Sequence, residues 1–441
     1  METRVVTDST DDLAKDIVQR LRKGGDIFLT GAGGTGKTYL TRKILKHFKN
    51  PAKLGTTAIA AIAIGGATVH SFFRLGICST VEELAKQDKM RIQRTADIRG
   101  VSLARAEQVM FSKMAKVLEA TDLIVIDEIS MASAELLDMV HARIKKYGGY
   151  RKAPMLAVGD LLQLPPVSEK AHLVFESKNW TFTMVELTEI HRTEDLDFYR
   201  VQSKVRFGIY DTEVAEFITK RSTQPQPDSV YLAAVNRTVD AVNRRELIAL
   251  PGEIEAYEAV VEKHVDTLPD SVINSFIASI PPDRELRLKP QARVIITTNV
   301  YDPMSEELLY YNGQKGTFLQ YDEESDCLLI DTDDQGIKRV ALYPYELGEL
   351  TEENGSVVMT SQATVKQYPV RLSYSITVHR AQGSTVNGPI TINCRDIFSP
   401  GQFYVALSRA TCANNISIMF FKPEHIFALP KCVEFYRRGR G

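Results

Sequence analysis

Little in this sequence points to cross-links or bound metal. Its five cysteines, Cys78, Cys327, Cys394, Cys412 and Cys432, are far apart and odd in number, and no CxxC pair occurs. That spacing argues against a zinc site, an iron–sulfur cluster or a disulfide framework, and it fits a reducing compartment. Long apolar runs are lacking too. The longest, Ala58–Ile64, is too short to span a bilayer. The start, METRVVTDSTDD, is polar and acidic. It has neither the apolar core of a signal peptide nor the Arg-rich look of a transit peptide, so the expectation is a cytoplasmic protein with no membrane partner. An excess of charge is also missing. Lys plus Arg number 54 against 56 Asp plus Glu, for a net charge of −2. No global field advertises a polyanionic partner, although a local basic stripe offset by acidic surface is compatible with that balance. There is no internal repeat and no low-complexity tract.

What is present is ordinary globular composition, 44% hydrophobic and 25% charged over 441 residues. That length suggests about three domains. One stretch organises the rest. Gly31–Thr38 reads GAGGTGKT, a glycine, four residues, then Gly-Lys-Thr. The apolar Ile27-Phe28-Leu29 before it reads as a buried strand. Leu40, Ile44, Leu45 and Phe48 after it recur at helical spacing. Strand, glycine loop, helix is the context a phosphate-binding loop requires. Glycines let successive N–H groups turn toward phosphate oxygens, and the helix adds its positive end. Lys37 is placed for the β- and γ-phosphates and the Thr38 hydroxyl for Mg²⁺.

Upstream, residues 10–24 read as a helix with Leu13, Ile17 and Leu21 on one face. Downstream, Thr57, Thr68 and His70 lie near Phe72 and Phe73. Hydroxyls bond backbone phosphates and exposed rings stack bases, while a core position for the two phenylalanines is the alternative. Residues 79–110 are highly charged with a weak core pattern and read as an insertion projecting from the sheet domain. Leu123–Ile126 reads as a buried parallel strand ending in Asp127-Glu128. Such a pair suits a phosphate-loop enzyme, Asp127 for the Mg²⁺ shell and Glu128 to polarise the attacking water. Met155–Val158 is a third such strand. It leads to Gly159-Asp160 and Gln163, which is placed for the γ-phosphate or its water unless it only caps a turn.

The first domain is expected to end at 187. Val230–Ala234 then reads as a strand followed by a helix, and 251–290 gives no clear pattern. Short β-rich runs divided by Asn312-Gly313 and Asp334-Gln335-Gly336 fill 291–365 and suggest a small antiparallel barrel. After it, α/β grammar returns, with strands at Ile390–Asn393 and Ile416–Phe421 and a helix opening at Gly401–Ala410.

Six blocks occur in order along the chain: GAGGTGKT, TVHSFF, VIDEIS, GDLLQLPPV, SITVHRAQGST and GQFYVALSRA. Together they resemble the motifs of superfamily 1B DNA helicases, and most of all the Pif-one (petite integration frequency) family, with RecD and Dda as relatives. Leu136–Val167 is similar to that family's signature region, which favours it over RecD. The resemblance implies an α/β fold of two RecA-like P-loop NTPase motor domains with ATP in the cleft between them. Residues 1–187 would form the first motor, with a wedge in 79–110. Residues 188–290 and 366–441 would form the second, carrying a Src-homology-3-like barrel at 291–365.

It also implies ATP- and Mg²⁺-dependent movement along single-stranded DNA in the 5′ to 3′ sense and unwinding of duplex or other structured DNA. The partners it implies are single-stranded, forked and G-quadruplex DNA. It implies a monomer serving repair, replication, recombination or telomere maintenance; the compact chain without long tails looks bacterial or phage-like, and the expected place is the nucleoid. Residue by residue, Gly31, Gly33, Gly34, Thr35, Gly36, Lys37 and Thr38 would hold the nucleotide, with Gly383 beside it. Asp127 and Glu128 would take the metal and base roles and Gln163 the γ-phosphate role. Arg192 and Arg409 would reach the γ-phosphate from the second motor as arginine fingers. Thr57, His70, Phe72, Pro166, His379 and Thr385 would line the DNA track. Two positions depart from the family. Ala14 stands where an adenine-reading Gln is often found, and Arg380 stands where Lys is usual. Other readings are a translocase that separates no duplex, a non-catalytic nucleic-acid-binding module and a nucleotide kinase. The intact set of Lys37, Asp127, Glu128, Gln163, Arg192 and Arg409 speaks against the module. A second α/β half with an inserted barrel speaks against the kinase.

Overall fold

The computed structural model describes the chain apart from residues 1–2, 6–9, 150–152, 167, 169–170, 190–194, 303, 306, 384, 387 and 440–441, and apart from the side chains of 3–5 and 10. The first half is a parallel sheet with helices packed on it. Its strands are β1 (Thr3–Val5), β2 (Ile27–Gly31), β3 (Pro51–Gly55), β4 (Ala67–Thr68), β5 (Leu123–Asp127), β6 (Met155–Val158) and β7 (Thr183–Leu187). They are ordered β1-β7-β2-β6-β5-β3-β4, and every pairing is parallel. Strands covered on both faces become continuous apolar runs, as Leu123-Ile124-Val125-Ile126 and Met155-Leu156-Ala157-Val158 do. The helices are α1 (Thr10–Arg22), α2 (Lys37–Leu45), α3 (Ala58–Ile64), α4 (Val69–Phe72), α5 (Val81–Arg99), α6 (Leu103–Ala120) and α7 (Ala134–Tyr147). Leu13, Ile17 and Leu21 of α1 are buried against Ile27, Leu29, Leu40 and Ile44. Ala14 sits in that same core.

The segment expected to project is a helical hairpin that starts at Val81 and runs to Ala120. It is anchored rather than free. Phe111, Met114, Val117 and Leu118 of α6 join the main core. Asp88 of α5 pairs with Arg143 of α7, both buried.

The second half holds α8 (Leu196–Arg206), α9 (Thr212–Arg221), β8 (Val230–Ala233) and α10 (Asn236–Ala249). Then follow β9 (Glu255–Glu258), β10 (Val260–Lys263), α11 (Asp270–Ser279), β11 (Glu285–Leu288), β12 (Arg293–Ile296), β13 (Val300–Tyr301), β14 (Leu308–Tyr310) and β15 (Lys315–Asp322). The chain continues through β16 (Cys327–Thr332), β17 (Gly336–Ala341), β18 (Tyr343–Glu353), β19 (Ser356–Gln367), β20 (Val370–Leu372) and β21 (Ser375–Thr377). It ends with β22 (Ile390–Asn393), α12 (Gln402–Leu407), β23 (Ile416–Met419) and α13 (Pro430–Gly439). The second parallel sheet is β21-β8-β22-β23.

The inserted β region is larger than 291–365. A five-stranded antiparallel sheet, β17-β16-β15-β12-β20, takes in Val370–Leu372. A three-stranded sheet, β10-β19-β18, pairs Val260 with Lys366, and β9 pairs with β11. The strands between 255 and 288 thus pair within the antiparallel elements and not with the second parallel sheet, whereas the division was expected at 290. The last helix returns to the first half. Cys432 and Tyr436 are in its core, and the Phe435 ring stacks on Phe175, 4.6 Å between centroids.

Candidate functional site

The phosphate loop leaves the carboxyl end of β2. Gly31 has φ 152°, and a Cβ there would lie 2.6 Å from Thr35 Oγ1 and 2.7 Å from Leu187 O. Only glycine lets β7 and the loop pass so closely. Thr35 Oγ1 donates to Ala32 O at 3.0 Å, and Gly36 opens α2 in the left-handed region. Lys37 Nζ donates to Gly31 O (2.8 Å) and Ala32 O (3.0 Å), so it lies along the loop. Thr38 is exposed on the first turn of α2. The Gly33 N–H donates to Tyr404 Oη of α12, 2.8 Å away.

The acids stand at the end of β5. Asp127 Oδ1 accepts the Glu128 N–H at 2.9 Å, and Thr56 Oγ1 donates to Glu128 O at 2.9 Å. These bonds hold Glu128 at φ 53°, a conformation disfavoured for a residue with a Cβ. Burial raises the Asp127 carboxyl. Burial, then the Asp127 charge, push Glu128 up to about 7, against the pull of Lys37 and Arg409.

The second half closes on this cluster. Gln382 Nε2 donates to Glu128 Oε2 (3.1 Å) and to Gln163 Oε1 (3.2 Å). Gly383 has φ 77°, and a Cβ there would come within 4.0 Å of Glu128 Oε1. Arg409 is buried. Its Nε donates to Val405 O (2.9 Å), and its two terminal nitrogens donate to Ala381 O (3.0 Å) and Ser408 Oγ (2.7 Å). Lys37, Asp127, Glu128, Gln163, Gly383 and Arg409 therefore come together across the two halves. Arg192 lies outside the described residues. Gln382 and Tyr404 were missed as site residues, although both stand inside quoted blocks, HRAQG and GQFYVALSRA.

The residues expected on a DNA track fare unevenly. Thr57 and Thr68 cap α3 and α4, accepting the N–H of Ala60 and of Ser71 at 3.2 Å each. His70 is exposed on α4. Phe72 is not available to a base. It is 5% exposed, edge-on to the fully buried Phe73 at 4.7 Å, and both belong to the main core. Burying such a ring is worth roughly 1.5–3 kcal/mol, so the core holds it. His379, Thr385 and Pro166 are partly buried, and burial lowers the His379 imidazole. Ala14 is shut in the core and presents nothing to a base.

Beside Gln382 lies a cleft of about 530 Å³ between α3, the second parallel sheet and the antiparallel region. Arg42, Arg371 and Arg380 are among its lining residues, and no Asp or Glu is found among the described ones. Arg371 is tied to Asp283 (2.6 Å), and Arg380 lies 3.9 Å from the same carboxylate.

Two parallel sheets, a phosphate loop on one and a glutamine and arginine from the other facing its acids define a two-motor P-loop ATPase. The PIF1-like helicase family matches residues 6–207. An ATP-dependent DNA helicase Pif1 from Campylobacter jejuni is 31% identical over 428 residues, covering 91% of this chain and 90% of that protein. Bacteroides Pif1 in complex with ADP-AlF4 superposes with a TM-score of 0.80 at 24% identity, covering 99% of this chain and 98% of that one. The same relative bound to single-stranded DNA superposes at 0.62, also at 24% identity, covering 99% and 97%. The chain belongs to the Pif1 family of ATP-dependent DNA helicases.

Proposed function

We propose that this helicase hydrolyses ATP in the cleft between its two parallel sheets and uses each cycle to move along single-stranded DNA, 5′ to 3′, separating forked duplex ahead of it. The observation that carries the reading is the bridge from Gln382 to Glu128 and Gln163. A side chain from one motor touches the base and the γ-phosphate residue of the other, so hydrolysis and domain position are mechanically linked.

In this reading the loop amides from Gly34 to Thr38 and the Lys37 ammonium bind the phosphates. Thr38 and Asp127 offer a hydroxyl and a carboxylate, the hard oxygen donors Mg²⁺ takes. The metal would neutralise charge on the β- and γ-oxygens. Glu128 takes the proton of the attacking water, and its raised carboxyl suits a base working near neutrality. Gln163 orients that water, and Arg409, with Arg192, stabilises the departing charge. Thr57, His70, Pro166, His379 and Thr385, with the arginine-lined cleft, contact the DNA backbone without reading sequence. The chain acts as a monomer.

The test is ATP-dependent unwinding of partial duplexes bearing either a 5′ or a 3′ single-stranded tail. Unwinding only from the 5′ tail is expected. Unwinding only from the 3′ tail overturns the polarity. ATP turnover stimulated by single strands with no strand separation identifies a translocase instead.

A further inference from the structure

Directly behind the phosphate loop lies a buried polar network that the reading above does not use. Asp160, just past β6, accepts Arg206 Nε on Oδ2 (3.0 Å) and a terminal nitrogen of Arg206 on Oδ1 (2.9 Å). Arg206 comes from α8 of the second half and also reaches Glu186 of β7 at 3.4 Å. Two tyrosines complete the cluster. Tyr436 Oη, from α13, lies 2.5 Å from Thr30 Oγ1 and 3.3 Å from Asp160 Oδ1, and it accepts the Leu161 N–H at 3.1 Å. Tyr404 Oη, from α12, donates to Asp160 Oδ2 at 3.2 Å and accepts the Gly33 N–H at 2.8 Å. Asp160, Arg206, Tyr404 and Tyr436 are all at least 97% buried. Burial alone would raise the Asp160 carboxyl, but the Arg206 guanidinium outweighs it and holds the group below its ordinary range. Asp160 is thus a fixed anion and a dependable acceptor.

Of the two tyrosines, only Tyr404 touches the phosphate loop. A phenol is the group this position needs, since it accepts from an amide and donates to a carboxylate at once. Its helix is also pressed against the rest of the site. A Cβ on Gly401, at the start of α12, would lie 2.5 Å from Leu162 O and 2.7 Å from Gln163 O. Arg409, five residues beyond Tyr404, bonds back to Val405 O of the same helix and acts electrostatically on Glu128. One short element of the second motor therefore meets the phosphate loop, the Gln163 turn and the surroundings of Glu128.

We propose that Tyr404 is a positioning residue for the nucleotide: its hydroxyl, held by Asp160, fixes the Gly33 amide and ties the shape of the phosphate loop to the position of the second motor. A shift of α12 then alters how the loop grips the β-phosphate, so the nucleotide affinity of one motor depends on the placement of the other. The proposal rests on the ATP-site reading above.

The test compares Tyr404→Phe with Tyr436→Phe in the full chain. Each keeps its ring and loses one buried hydroxyl on the same carboxylate. Steady-state ATP hydrolysis with saturating single-stranded DNA and titration with a fluorescent ADP are read for both. Tyr404→Phe is expected to raise KM for ATP and Kd for ADP about three- to tenfold, the effect of one hydrogen bond, with a smaller change in kcat. Tyr436→Phe is expected to lower Tm and leave KM and Kd in place. Equal shifts in both variants, or wild-type KM and Kd in Tyr404→Phe, overturn the proposal. A wild-type chain that binds ADP but shows no DNA-stimulated turnover defeats the ATPase reading instead. Amide exchange in the nucleotide-free wild type gives a check that needs no variant. Gly33 is expected to exchange slowly, and exchange at the rate of an open loop overturns the contact.

Discussion

Glu128 carries backbone strain of roughly 1–3 kcal/mol by virtue of its left-handed conformation. What the strain secures is direction. The Asp127 carboxylate accepts the Glu128 amide and Thr56 bonds its carbonyl, so its side chain is aimed at Gln382, which also bonds Gln163. Two variants separate binding from chemistry at this point. Lys37→Ala and Glu128→Gln are each expected to reduce DNA-stimulated ATP hydrolysis by about 10²- to 10⁴-fold, the range for a lost proton acceptor or charge stabiliser. Both should retain single-strand binding, measured by fluorescence anisotropy. Wild-type turnover in either would remove it from the site. Gln382→Ala tests the bridge between motors. It should lower kcat while leaving the affinity for ADP unchanged, because Gln382 meets the water-activating residues and not the loop. Weakened ADP binding with unchanged kcat would contradict that placement.

At the scale of elements, a buried ion pair ties α5 to α7 beside the apolar face by which α6 joins the main core. Arg143 of α7 pairs with Asp88, donates from Nε to Phe73 O at 2.9 Å and covers the Phe111 ring at 4.7 Å. Removing one partner leaves the other charge buried and costs about 3–5 kcal/mol. Asp88→Ala should therefore lower Tm and speed amide exchange along α5. Unchanged exchange there would show that the hairpin is held by its other contacts, the apolar face of α6 and the Glu107–Lys146 pair. The same pair explains why this region read as loosely attached. The buried face of α5 is spent on Leu84, Asp88 and Ala96, only one of them large and apolar, so the periodic signal was weak.

The parallel strands were legible for the opposite reason, since burial on both faces writes an uninterrupted apolar run. Residues 251–290 were opaque because β9 and β10 are largely exposed and β10 finds its partner far away in sequence, Val260 opposite Lys366. Phe72 stood on the track through the family resemblance; the residues alone favour core for at least one ring of the Phe72–Phe73 pair, and the core holds both. The acids, the loop and Gln163 were visible as motifs. Gln382 and Tyr404 were visible as letters, but what they touch depends on which half they face, and only the tertiary arrangement gives that.

Across the whole molecule, a net charge of −2 has to coexist with a polyanionic track. The field must then be local, and the cleft lined by Arg42, Arg371 and Arg380, with no Asp or Glu among its described lining residues, offers such a local patch. Arg371 is committed to Asp283 at 2.6 Å, whereas Arg380 stands 3.9 Å from that carboxylate and Arg42 is exposed on α2. These two have the most charge to offer a phosphate. Binding of single-stranded DNA should accordingly weaken linearly on a log–log plot against salt, with a slope of about −0.7 per phosphate contacted. Arg42→Ala and Arg380→Ala should each flatten that slope by about 0.7, equally for oligonucleotides of different sequence, because a backbone contact reads no bases. The two changes should add, since the residues sit on different motors and share no partner. An unaltered slope in both variants would move the track away from this cleft. A loss that depends on base sequence would mean that the cleft reads bases and not backbone.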